Sequence, residues 1–119
     1  MGLKPLTVVV LDPGGVPIAL AREDGSSNLR PKIATAKASG ALDLGLSSRR
    51  IADMAAERPT FIGALAPLSP QGLVPAAGGV IVVDKAGNVL GAVGITGDLS
   101  DNDEACALAG IAAAGLRAQ

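Results

Sequence analysis

The residues of this chain with the types and spacing to do chemistry fall in a few short stretches. Gly94-Ile-Thr-Gly97-Asp-Leu-Ser100 runs from an apolar strand through glycine into a helix start. Free backbone N–H groups at such a start, with the Thr96 and Ser100 hydroxyls, could hold a carboxylate or a phosphate. Asp98, Asp101, Asp103 and Glu104 stand beside them and would repel that anion, so the competing reading makes Ser100 a capping hydroxyl. A bound anion calls for a cation, and Lys37 is the basic residue of an otherwise small, apolar helix face. The competing reading for Lys37 is a lysine that snorkels to solvent. Gly78-Gly79 either lets backbone approach a ligand or bends the chain into Val80. The candidate ligand-binding set is therefore Lys37, Gly78, Gly79, Thr96, Gly97 and Ser100, with no metal ligand among them. A catalytic version would act on a small organic acid, with Lys37 as base or electrostatic clamp and Asp12 as acid–base partner.

Composition removes other chemistries. The 119 residues include no His, Trp or Tyr, one Phe (Phe61) and one Cys (Cys106). Serine–histidine triads, histidine zinc sites, intrachain disulfides and CxxC sites are excluded within one chain. Ten basic residues against eleven acidic ones, with 1% aromatic content, do not make a nucleic-acid surface. Arg49-Arg50 is too short for a basic patch. Asp12-Pro-Gly-Gly lacks the lysine and hydroxyl of a phosphate loop, and Asp101, Asp103 and Glu104 lack calcium-loop spacing. The opening run from Met1 stops at Asp12 with no cleavage-site pattern, and the apolar stretch Ala105–Leu116 has 12 residues where a membrane span needs roughly 20. The expectation is a cytoplasmic protein without membrane or nucleic-acid partners.

These residues must be positioned by a small set of elements in one domain, residues 1–119. Leu6–Leu11 and Val16–Arg22 flank the Asp12-Pro-Gly-Gly turn and predict a hairpin, with Pro17 placing the second strand at an edge or the proline at its start. From Pro31, apolar residues recur at three- and four-residue steps and predict a helix to about Leu44. Ser47-Ser48 opens a shorter helix that Pro59 must end near Arg58. Prolines and glycines from Pro59 to Gly72 predict a structured loop, and Leu73-Val-Pro75 a short strand. Gly78–Asp84 and Val89–Thr96 flank a Lys85–Asn88 turn and predict a second hairpin. A last helix is predicted from Ser100 to about Arg117. Short connections favour an antiparallel sheet with helices packed on it, an α+β arrangement. Val, Ile and Leu occupy both alternations of the first strand and of the Gly78–Asp84 run, so both sheet faces need cover. Helices rich in Ala and Gly supply little volume for that, which points to a homo-oligomer sharing apolar surface.

Val9-Val-Leu-Asp12-x-Gly14-Gly15, Asp24-Gly25, Ala34-x-Ala36-Lys37-Ala38, Gly78-Gly79-Val80 and Gly91-Ala-Val-Gly-Ile-Thr-Gly97 followed by Asp103-Glu104 occur in an order that resembles the GlcG/HbpS-like family, over about residues 6–115. The resemblance implies a profilin-like fold, a five-stranded antiparallel sheet flanked by helices, in proteins that form dimers and larger assemblies. Members include a glycolate-operon protein, an extracellular haem-binding sensor component and a domain fused to corrinoid adenosyltransferases. It therefore implies a small-ligand or cofactor-binding accessory protein, with haem or a corrinoid as the implied cofactor. Two departures stand out. Family members usually carry a helix before the first strand, whereas here the strand begins within six residues of Met1. Haem-binding members can use a histidine, and the soft atoms available instead are those of Cys106, Met54 and Met1. Cys106, between Ala105 and Ala107, also reads as a buried structural thiol. Beside ligand binding, an enzyme acting on a small organic acid and a structural oligomer component stay open.

Overall fold

A computed structural model describes residues 2–119. Thr7–Leu11 (β1) and Pro17–Arg22 (β2) form the first hairpin, and Asp12 builds its turn by accepting the Gly14 and Val16 N–H groups with Oδ1, both at 2.9 Å. Arg30–Leu44 (α1) starts with proline in its first turn and ends at Gly45, whose φ of 70° suits glycine and whose N–H bonds to the Ala41 carbonyl. Ser48–Glu57 (α2) is capped by Ser47, which accepts the Arg50 N–H. Gly79–Val83 (β3) and Val89–Thr96 (β4) form the second hairpin, and Ser100–Ala113 (α4) leads to Arg117–Ala118 (β5). The sheet is antiparallel throughout, in the order β2-β1-β4-β3-β5, so the α+β, profilin-like, five-stranded expectation holds. Among the described residues no helix precedes β1.

Three local expectations need correction. Pro59–Leu65 is a short helix (α3) followed by a 3-10 turn at Ala66–Leu68, because a proline at the first helical position starts a helix as readily as it stops the preceding one. Leu73-Val-Pro75 makes no strand; the fifth strand is β5 instead. The last helix stops at Ala113, and Gly115, with φ 75°, turns the chain back to pair Arg117 and Ala118 with β3.

The two faces of the sheet are covered differently. On one, α1 lies so close that a Cβ on Gly94 would come within 2.0 Å of the Ala34 carbonyl oxygen, and one on Gly79 within 2.2 Å of that of Lys37. Val9, Leu11, Ala92 and Ile81 fill this layer against Ala34, Ala38 and Ala41. On the other, α4 alone covers the middle, packing Ala107 and Ile111 on Val80, Val82 and Ile95. The part of that face beyond α4 is open.

Candidate functional site

Lys37 is no snorkelling lysine. It is 3% exposed, and its Nζ donates to the Ile95 carbonyl at 3.0 Å and to Asp103 Oδ2 at 3.1 Å, with Asp103 1% exposed. The pair joins α1 to α4 across the end of β4. Burial pushes the Lys37 ammonium below its ordinary value, and the hydrogen bond and charge of Asp103 push it back up. Gly78, with φ 129°, passes directly over the pair: a Cβ there would lie 2.5 Å from the Ile95 oxygen and 2.9 Å from Nζ. Gly79 donates its N–H to the buried Ser48 Oγ at 2.6 Å. The close approach that these two glycines permit is thus to the chain's own atoms, Gly78 to Ile95 of β4 and to the Lys37 ammonium, Gly79 to the backbone of α1.

Thr96 and Gly97 are also engaged internally. Thr96 Oγ1 accepts from Arg30 Nη1 at 2.9 Å, and Gly97, with φ 144°, lies against Pro5, whose carbonyl a Cβ would meet at 2.2 Å. Ser100 is the first residue of α4, and its hydroxyl does not cap the helix. The neighbouring acids bond around the helix start without capping it: Asp98 Oδ1 accepts the Leu99 N–H at 2.7 Å and the Asn102 side-chain amide at 2.7 Å, and Asp103 Oδ1 accepts the Asp98 N–H at 3.0 Å. Carboxylates of the chain itself therefore stand beside the helix start, where their charge opposes the external anion that was expected there. Asp12 lies at the opposite end of β1 from the Lys37 pair, so the two are not brought together as acid and base.

Asp98 also anchors the N-terminal segment, since its Oδ2 accepts the Lys4 N–H at 2.8 Å. The Asn102 side chain and the Lys4 and Leu99 amides hold its carboxyl down at about 2, from 3.8. A carboxyl depressed on folding adds stability above its unfolded value, and that contribution is lost as pH falls from 3.8 towards 2. Urea midpoints of the wild type and Asp98→Ala are expected to differ at neutral pH and to converge across that acid window. A gap that persists undiminished at the acid end would contradict this role.

Sequence reasoning named no pocket on this side of the sheet, yet a groove of about 600 Å³ lies between α4 and the uncovered sheet face. Val8, Val10, Leu90, Val93 and Ile95 form its floor, and Cys106, Gly110 and Ile111 its α4 wall. No charged side chain lines it. Cys106 is therefore a half-buried wall residue of this groove, not a sealed core thiol. Apolar alternation on both strand faces was its one trace in the sequence.

Residues 2–112 match the family described as "Haem degrading protein HbpS-like". The chain belongs to the HbpS-like family. Among solved structures, this HbpS-like chain is similar to the PduOC:haem complex, with a TM-score of 0.84 and 22% identity over 96% of this chain and 81% of that one. An HbpS double mutant from Streptomyces reticuli matches at 28% identity and a TM-score of 0.77, over 92% of this chain and 71% of that one. The ORFY protein of Klebsiella pneumoniae matches at 24% identity and a TM-score of 0.77, over 87% and 70%. No curated protein matches.

Of the soft atoms in this HbpS-like chain, only the Cys106 sulfur borders the groove among the described residues; Met54 lies on α2, and Met1 falls outside those residues. No cluster of three or more His, Cys, Asp or Glu side chains suited to a metal ion occurs among the described residues. No helix among them is long and apolar enough to cross a membrane.

Proposed function

We propose that this HbpS-like protein binds a small, largely apolar cofactor of the tetrapyrrole class in the α4 groove and works as a homo-oligomer. The observation that carries the ligand reading is the groove itself, about 600 Å³ and lined without a single charged side chain. That volume lies within the roughly 300–1,000 Å³ usual for small-molecule sites. Its walls suit the flat hydrocarbon body of a porphyrin, while ring carboxylates would have to stay in water at the mouth. Haem, when bound, supplies a redox-active iron. Val8, Val10, Val93 and Ile95 would hold the ring and exclude water, and Cys106 is the wall residue with a sulfur to offer the metal. A corrinoid, fringed with amides, suits walls without polar partners less well. The family and the haem complex of a related fold support the same choice.

The test is a titration with haem, read by the Soret band, and with metal-free protoporphyrin, read by fluorescence. Gly110→Leu puts a side chain into the groove from a position where a Cβ meets nothing within 4 Å, so the fold is expected to persist. It should weaken both porphyrins by tenfold or more, about 1.4 kcal/mol. Cys106→Ala should alter the haem spectrum but not protoporphyrin binding. Binding indifferent to Gly110→Leu would remove the groove from the reading.

A further inference from the structure

The side of α4 turned to water is apolar, although nothing in one copy covers it. Asp103, Ala107 and Ile111 are its buried stripe, and Cys106, Gly110 and Ala114 edge the groove. Opposite them Ala105, Leu108, Ala109 and Ala112, spaced three and four apart, are all exposed, with Leu108 at 42%. No charged residue occurs from Ala105 to Leu116. A helix that is apolar on every side is ordinarily buried on every side.

The charges collect at the two ends instead. At the N-terminal end Asp101 and Glu104 share one guanidinium, that of Arg49, and Asp98 adds a further acid, while Asp103 is matched by Lys37. That end keeps a net negative charge. At the other end Arg117, in β5 just past the helix, donates to the backbone carbonyl of Lys85, a second basic residue in the turn after Asp84. The exposed apolar stripe is centred on Leu108 and Ala109.

We propose that this face docks on the same face of a second copy, with the two α4 helices antiparallel about a two-fold axis near Ala109. The proposal specifies the surface for the self-association proposed above and is independent of the ligand. An antiparallel pair sets the acidic end of each copy against the basic end of the other and opposes the two helix dipoles, whereas a parallel pair would stack acid on acid. The alanines permit a short interaxial distance, towards 8 Å, and Leu108 of each copy fills the space beside the axis. Self-complementarity of one patch is what a two-fold dimer requires. A chain of net charge −1 adds almost no long-range repulsion.

Sedimentation equilibrium over roughly 1–300 µM protein tests this. The wild type is expected to dimerise or assemble further through dimers, and Leu108→Glu to weaken that step by tenfold or more with an unchanged circular dichroism spectrum. Ala112→Glu, on the same exposed face, should do the same should Leu108→Glu fold poorly. Asp101→Arg and Arg117→Asp should each weaken association, and the two together should restore it. A monomeric wild type overturns the self-association reading itself. Association indifferent to both glutamate variants overturns this surface and places the contact elsewhere, such as the exposed edge strand β2, which Ile18→Lys would then disrupt. Failure of the paired charge exchange to restore association overturns the antiparallel arrangement.

Discussion

Lys37→Met is expected to destabilise the protein by about 3–5 kcal/mol, a large share of what holds a domain of this size folded. The reason is asymmetric. Lys37 and Asp103 are both essentially without solvent contact, and removing the ammonium leaves a carboxylate with its Oδ2 unpaired beneath Gly78. Methionine replaces the lysine stem, so lost packing contributes little to the difference. The paired replacement Lys37→Met with Asp103→Leu removes both charges and should recover much of the loss, because a buried pair adds little net stability over apolar groups of similar volume. Asp103 Oδ1 also accepts the Asp98 N–H, so recovery should stop short of complete by about the net worth of one hydrogen bond, on the order of 1 kcal/mol. Urea unfolding of the wild type, both single variants and the double variant measures this coupling directly. Single variants as stable as the wild type would show that the pair carries no structural burden.

Gly94→Ala should be as damaging through a different route. Its Cβ would sit 2.0 Å from the Ala34 carbonyl oxygen and 3.1 Å from the Ala38 Cβ, and the first of these neighbours is backbone of a helix pinned at many points. No rotamer change relieves that clash. The helix α1 would have to lift away from β1, β3 and β4 together, opening the layer of Val9, Leu11 and Ala92. A loss of about 3 kcal/mol or more is expected, at the upper end of what overpacking costs. Gly63→Ala is the control: it lies inside α3 with nothing within 4 Å of a Cβ, and should stabilise by about 0.5–1 kcal/mol through helix propensity alone. Thermal unfolding of the two variants separates a steric cause from a general effect of adding a methyl group.

Local elements were legible because their signals are local. Pro31, the Ser47-Ser48 start and the two turns at Asp12 and Lys85 mark α1, α2 and both hairpins within a residue or two of where they lie. The stretch after Pro59 misled because a single proline ends one helix and begins another, and the chain beyond Ala113 misled because alanine-rich sequence does not announce the turn at Gly115. At the candidate site, Lys37, Gly78, Gly79 and Thr96 are all buried around one junction. What the sequence could not show is that Lys37 meets Asp103, 66 positions away, and thereby consumes the charge an external anion would need. The groove escaped for the same reason: it is a property of how far α4 reaches across the sheet, and no stretch of sequence encodes that reach by itself.

The unequal cover of the two sheet faces separates a tightly closed contact from an open one. Against α1 the contact is main chain on main chain at Gly79 and Gly94, where any added side chain is an obstruction. Against the groove the contact is side chain on open space, where Val8, Val10, Val93 and Gly110 can change size without disturbing the opposite layer. One face thus acts as a chassis that tolerates almost no change, and the other as an interchangeable fitting. On the ligand reading proposed above, a chain built this way can exchange what it holds by a few substitutions on a single side of its sheet while its architecture stays as it is.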